Sequence, residues 1–117
     1  MFLNLNHYKL EVYKSAKLMR RECYKLFSKF PAEEKYNLVD QIKRAATSVV
    51  LNISEGSSRK SDMERKRYYE ISRGSVIEID TCFELAFEDG YFTFEELAEV
   101  GKQIKASFIL LTNLIKS

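Results

Sequence analysis

The stretch Asn52-Ile53-Ser54-Glu55-Gly56-Ser57-Ser58-Arg59-Lys60-Ser61-Asp62 decides how the chain is read. Its first three residues form an Asn-x-Ser triplet, which in a secreted protein marks a glycosylated surface loop. The same letters also spell the polar end of a helix, a glycine stop at Gly56 and a short basic loop. Ser61-Asp62-Met63-Glu64 then has the form of a capping box, in which Ser61 caps a backbone N–H and Glu64 reaches back. On the second reading, this stretch is a turn between two long helices.

The flanking sequence favours the helices. Before the turn, Leu38, Ile42, Ala45, Val49 and Ile53 recur at three- and four-residue spacings, giving a helix over about 32–55 with one apolar seam. After it, Tyr69, Ser72, Val76, Ile79, Phe83 and Ala86 face inward with Cys82 at the edge, giving a helix over about 62–89 that Gly90 closes. Upstream, Leu5, Tyr8, Val12, Met19, Cys23, Leu26 and Phe30 mark a first helix over about 4–28. Pro31 suits the first turn of the next helix, with Glu33 and Glu34 near its positive end. Downstream, Thr93-Phe94-Glu95-Glu96 repeats the capping-box pattern. It opens a fourth helix over about 94–116 that buries Leu97, Val100, Ile104, Phe108, Leu111 and Leu114 or Ile115.

Such helices are ~33 to 43 Å long at 1.5 Å per residue. Short connections make chain neighbours antiparallel, so the expected fold is all-α, an antiparallel up-down-up-down four-helix bundle. Length and composition agree. The 117 residues suit one domain with a real core, and four Gly and one Pro leave little turn chemistry for a sheet. Two cysteines, Cys23 and Cys82, make no disulfide framework and read as buried thiols in a reducing compartment. No leader-like apolar run opens the sequence and none is long enough to span a membrane. The expected location is therefore the cytoplasm, with the triplet accidental.

Charge is unevenly placed. Residues 1–67 carry 15 Lys/Arg against 8 Asp/Glu, whereas residues 68–117 carry 4 against 9. Between Ile77 and Val100 stand eight acids and no base. That polarity suits nucleic acid at one end, or one copy's basic face against the next copy's acidic face. Lys14, Lys17, Arg21 and Lys25 form a basic row on the outer side of the first helix. Arg59, Lys60, Arg65 and Lys66, with Arg67 and Tyr68, cluster where a loop meets a helix N-terminus, a place that favours phosphate. Both groups are candidate nucleic-acid contacts, and both are equally readable as solvated charge.

A second pattern lies beside the core. Gln41, Arg44, Ser48, Asn52 and Glu55 fall in one row flanking the apolar seam of the second helix. Arg67, Ile71, Gly74 and Glu78 flank the third. Gly74 inside a helix costs about 1 kcal/mol against Ala, so close approach of another helix is expected there, with Ser75 as a second small contact. Arg44 is expected to pair with Glu78, or with Glu55 across two subunits. The row reads as an internal hydrogen-bond network, as a subunit interface, or as a ligand site.

Catalytic patterns are missing. His7 is the one histidine and has no partner at metal-ligand spacing, and no phosphate-binding loop or nucleophile elbow occurs. Neither cofactor nor metal is expected.

The chain resembles the small bacterial four-helix bundle proteins known as the 23S rRNA intervening-sequence protein family. The resemblance rests on Phe30-Pro31 with Glu34 and Leu38, on Gln41-x-x-Arg44-Ala45 with Ser48, Asn52-Ile53 and Glu55-Gly56, and on Arg73-Gly74-Ser75 with Glu78 and Gly90-Tyr91. Val50 and Leu51 stand where the family often has Pro and Ala, and Ser54 replaces a common Ala, which alone creates the triplet. The resemblance implies a ring-like homo-oligomer, a pentamer, related to accessory proteins of diversity-generating retroelements that bind nucleic acid and a reverse transcriptase. The expected function is a non-enzymatic homo-oligomeric protein that binds nucleic acid, RNA ahead of DNA, or serves as a scaffold. The alternative is a protein-interaction module whose charges serve assembly and a protein partner.

Overall fold

The computed structural model describes the backbone of residues 1–117 and every side chain except those of Tyr8 and Lys9. The core position expected for Tyr8 therefore lies outside the described side chains. Four helices make up most of the chain: α1 (Glu11–Leu26), α2 (Leu38–Ser57), α3 (Asp62–Glu88) and α4 (Ala98–Lys116). Among the described residues there is no strand. Each helix lies against its chain neighbours and α4 returns to α1, with the α2–α3 contact the most extensive. The result is the expected up-down-up-down bundle, 44 × 30 × 21 Å in extent. No helix is long and apolar enough to cross a membrane.

The seams read from the sequence meet in one core. Met19, Ile42, Val49, Ile53, Ile79 and Leu111 are wholly sealed from solvent. At the end of the bundle where α1 and α3 finish, Phe30 meets Phe92 edge-on at 4.9 Å between ring centroids, and Phe83 stands 6.3 Å from Phe92. Cys23 is fully buried and Cys82 nearly so. Burial, with Glu22 adding, pushes the Cys23 thiol up to about 12. Burial, then the charge of Glu78, raises Cys82 as well.

Three helix starts differ from expectation. The first α-helix starts at Glu11, not near residue 4, because Leu10 is extended (φ −66°, ψ 136°). A separate 3-10 turn, Asn6–Lys9, precedes it. Leu5 is therefore largely exposed rather than part of the seam. A second 3-10 turn, Phe27–Lys29, ends the rod.

The second helix starts at Leu38 rather than near 32, since a 3-10 turn, Ala32–Glu34, and a bend at Asn37 intervene. Glu34 explains the later start. Its buried carboxylate accepts from Tyr91 Oη (2.7 Å), Asn37 Nδ2 (2.9 Å) and the Leu38 backbone N–H (3.5 Å), so it serves as the anionic cap of α2.

The fourth helix begins at Ala98 although its capping box lies one turn earlier. Thr93 N–H donates to Glu96 Oε1 (2.9 Å) and Glu96 N–H to Thr93 Oγ1 (3.1 Å), and a looser turn joins this box to the regular helix.

The caps of α3 match the expected residues. Ser61 Oγ accepts from the Glu64 N–H at 3.1 Å. Gly90 has φ +83°, with Tyr91 N–H reaching Ala86 O and Gly90 N–H reaching Phe87 O, both at 3.0 Å. That pair of bonds is a Schellman motif, which needs a left-handed residue.

The cap at Glu34 gives a pH expectation. The Tyr91 hydrogen bond is the main cause that lowers the Glu34 pKa from its ordinary 4.5, and the same bond lifts Tyr91 to about 12. A depressed carboxylate contributes stability that is present above its unfolded pKa and is lost as pH falls through the folded one. Unfolding midpoints should therefore drop as pH falls below 4.5, and Tyr91→Phe should flatten that drop. Denaturant melts of both proteins across the acid range would measure it, and parallel curves would contradict it.

Candidate nucleic-acid interface

On α1 the residues Lys14, Lys17, Arg21 and Lys25 stand at spacings of three, four and four, and all four are exposed. Lys25 Nζ lies 3.0 Å from Glu22 Oε1, and Lys17 Nζ sits 5.1 Å from the centre of the Tyr13 ring. Lys14 and Arg21 enter no ion pair among the described residues. The neighbouring Arg20 is different. Its Nε donates to Thr47 Oγ1 (3.1 Å) and its Nη2 to Tyr24 Oη (3.0 Å), so it fastens α1 to α2. A single step along the helix, about 100° around its axis, thus separates the base that fastens α1 to α2 from the bases that face water.

The loop cluster turns out to be occupied. Arg59 Nη2 donates to Glu55 Oε2 (2.7 Å) and Tyr68 Oη (3.2 Å), and its guanidinium carbon lies 5.1 Å from the Tyr68 ring centre. Arg65 Nη1 donates to the carbonyls of Arg59 (3.1 Å) and Lys60 (2.8 Å). Both Arg65 and Lys66 also approach Asp62, at 3.5 and 3.2 Å. Lys60 is exposed and free of ion pairs among the described residues. Lys66 therefore pairs on the first turn of α3, while Arg59 and Arg65 brace the loop itself. Its carbonyl groups need donors once the helix hydrogen bonds stop, and arginine can reach them across a short loop.

The polar row on α2 divides in the same way. Asn52 Nδ2 donates to Ser48 O (2.9 Å) and Ser48 Oγ (3.0 Å), and Ser75 Oγ donates to Ser48 Oγ (3.0 Å). Deeper in, Ser72 Oγ donates to Val49 O at 2.7 Å. Ser48, Asn52 and Ser75 therefore form a short network that registers α2 on α3.

The other row members stay out of it. Arg44 pairs with Asp40 one turn back on its own helix, in place of the expected Glu78, and Glu55 holds Arg59. Gln41 and Glu78 are exposed. An Asp at i−4 was within reach of Arg44 all along, and the longer-range partner does not come near. Arg44, Ser48 and Asn52 line one open hollow of about 480 Å³, whose lining includes neither Glu55 nor Glu78. Among the described residues no cluster of His, Cys, Asp or Glu could hold a metal.

Gly56 takes the part expected of Gly74. Gly56 is not the helix stop: α2 continues through Ser57. A Cβ at Gly56 would lie 2.8 Å from Tyr69 Cε1, 3.0 Å from Tyr68 Cβ and 3.1 Å from the Arg65 carbonyl oxygen. The close helix approach is here. Gly74 is exposed, and a Cβ there would meet nothing within 4 Å.

The residue that sequence reading passed over is Ser54. It is half-buried within α2, and its Oγ lies 3.1 Å from Nε2 of the buried His7. Burial is the main cause that lowers the His7 pKa from 6.5, which favours a neutral ring. The Asn-x-Ser triplet is thus helical, with Ile53 sealed in the core and Ser54 holding the N-terminal segment.

A family model for 23S rRNA-intervening sequence proteins matches residues 8–113. A solved structure of a protein of unknown function from the S23 ribosomal protein family of Bacteroides thetaiotaomicron VPI-5482 superposes with a TM-score of 0.82 at 22% identity. The match covers 91% of this chain and 99% of that one. No curated protein matches the chain significantly.

Proposed function

The chain belongs to the 23S rRNA-intervening sequence protein family, and from that premise we propose that it is a cytoplasmic, non-enzymatic protein that assembles with itself and binds nucleic acid, RNA ahead of DNA. The ring-like, pentameric assembly implied by the family resemblance is part of this reading. The observation that carries it is the α1 row: Lys14, Lys17, Arg21 and Lys25 share one exposed face, while the other basic cluster is largely used up inside the fold. Phosphate contacts supply sequence-independent affinity, and repeating one modest row around an assembly raises it through multivalency.

A labelled single-stranded RNA, followed by fluorescence anisotropy from low to moderate salt, tests the reading. Four phosphate contacts per engaged protomer predict a slope of log K against log salt near about −3. Replacing all four α1 bases by glutamine should remove most of that slope. Absence of binding at low salt, or an unchanged slope in the quadruple variant, rejects the reading.

A second reading is favoured by α3, whose Glu78, Asp80, Glu84 and Glu88 are exposed and enter no ion pair among the described residues. On it the chain is a protein-interaction module, and charge reversal on α3 breaks assembly without affecting RNA.

A further inference from the structure

Two exposed ridges of the chain match in spacing and oppose in charge. On α3, Glu70, Ile77 and Glu84 stand seven residues apart, and on α4 so do Lys102, Ile109 and Lys116. Seven residues bring a helix back to nearly the same face, roughly 10.5 Å further along it. Each ridge is therefore an isoleucine flanked at equal distances by two like charges, acidic on α3 and basic on α4. All of these residues are exposed, with Ile77 at 47% and Ile109 at 57%. None of the charges enters an ion pair among the described residues.

Both ridges look out of the same side of the bundle. Ser75 Oγ donates across to Ser48 on α2, and Ile77, two residues on, points about 200° away around α3. Ser107 Oγ lies 2.9 Å from Ser15 Oγ on α1, and Ile109, again two residues on, points about 200° away around α4. The ridges thus turn away from α1 and α2. They also stand level. Arg73 Nε donates to Thr112 Oγ1 at 2.8 Å, and its guanidinium lies over the Phe108 ring, which fixes the antiparallel register of α3 and α4. Counting both ways from that contact at a common rise per residue places Glu70, Ile77 and Glu84 at about the heights of Lys116, Ile109 and Lys102.

We propose that these ridges dock a second copy of the chain, with α3 of each copy lying on α4 of the other. This rests on the self-assembly in the proposed function and adds a two-fold contact to it. A half-turn about an axis parallel to the helices sets the second copy's α3 over the first copy's α4 and leaves every residue at its own height. Glu70, Ile77 and Glu84 of one copy then meet Lys116, Ile109 and Lys102 of the other, and the reciprocal set forms beside them.

Charge decides between the two possible half-turns. The other one, about an axis across the helices, lays α3 on α3 and α4 on α4. It brings Glu70 against Glu84 and Lys102 against Lys116. Like charges opposed in this way are costly, so the pattern selects the first arrangement by penalising the second. The contact joins a surface to itself and is therefore isologous, whereas a ring is built from head-to-tail contacts. Lys14, Lys17, Arg21 and Lys25 stand on α1, outside the docked helices, and stay open to RNA.

Sedimentation equilibrium of the full chain, of Glu70→Lys/Glu84→Lys and of Lys102→Glu/Lys116→Glu tests the inference. The substituted side chains are exposed, so circular dichroism melts should be unchanged. The full chain should associate at micromolar concentration into an even number of copies. Each variant carries one sign of charge on both ridges and should associate about 100-fold more weakly. An equimolar mixture of the two variants should recover the association, as should a chain carrying all of the substitutions together. An associated full chain with an odd number of copies, or one whose mass survives either pair of reversals, overturns the inference and leaves self-assembly standing. A mixture that stays apart also overturns it, because the two ridges then do not meet. A monomeric full chain overturns both the inference and the assembly it rests on.

Discussion

Replacing Gly56 by leucine is expected to destabilise the fold by about 3 kcal/mol, the upper part of the usual range for overpacking a tight contact. The three atoms that a Cβ would strike all belong to the start of α3, and one of them is the Arg65 backbone oxygen. None can yield cheaply. Tyr69 is buried and its hydroxyl lies 3.0 Å from Ser57 Oγ, while Arg65 is tied to the turn through the carbonyls of Arg59 and Lys60. The helices must separate at that end, and the hydrogen bonds there go with the contact. Alanine at the same position should do less harm, because about 1 kcal/mol of helix propensity offsets part of the clash.

Gly74→Ala is the matching control. With no atom near its Cβ, it should stabilise a single chain by about 0.5–1 kcal/mol. Urea unfolding of the three variants reads all of this. A leucine variant as stable as the parent would mean that α3 can move freely. A destabilised Gly74→Ala would mean that another copy approaches that face.

Ile79→Ala should cost about 2–5 kcal/mol, the range for removing a large aliphatic side chain from a packed core. Ile79 has no exposure, whereas Ile77, two positions away on the same helix, is 47% exposed. Alanine at Ile77 should stay within about 0.5 kcal/mol of the parent in the monomer. The contrast isolates burial from helix propensity, since both changes are the same chemically. Equal losses at the two sites would show that α3 is placed with the wrong face inward.

The seams were legible because 3.6-residue periodicity records burial directly, and Leu38 to Ile53 on α2 and Tyr69 to Ala86 on α3 face the core as their spacing requires. The caps at Ser61 and Gly90 were legible because they depend on local backbone geometry. What escaped depended on atoms distant in sequence. Nothing near Glu34 announces Tyr91, 57 residues away, so the start of α2 was placed too early. Gly56 and Gly74 look alike as letters in a helical pattern, and only the position of α3 decides which one is crowded. Arg59 and Arg65 looked like phosphate contacts because a sequence shows charge without showing which acceptors, a carboxylate and a hydroxyl for Arg59 and two carbonyls for Arg65, that charge already serves. The α1 bases stay exposed because the opposite face of that helix is the one in the core.

The buried cysteines have a practical consequence for site-specific labelling. Maleimides and disulfide reagents attack the thiolate, and with Cys23 at about 12 its thiolate fraction at neutral pH is on the order of one in 100,000. Cys82 is also shifted upward and nearly covered. A single cysteine introduced at position 2 or 94 should therefore be the fast-reacting thiol of the folded chain, with both native cysteines left in place.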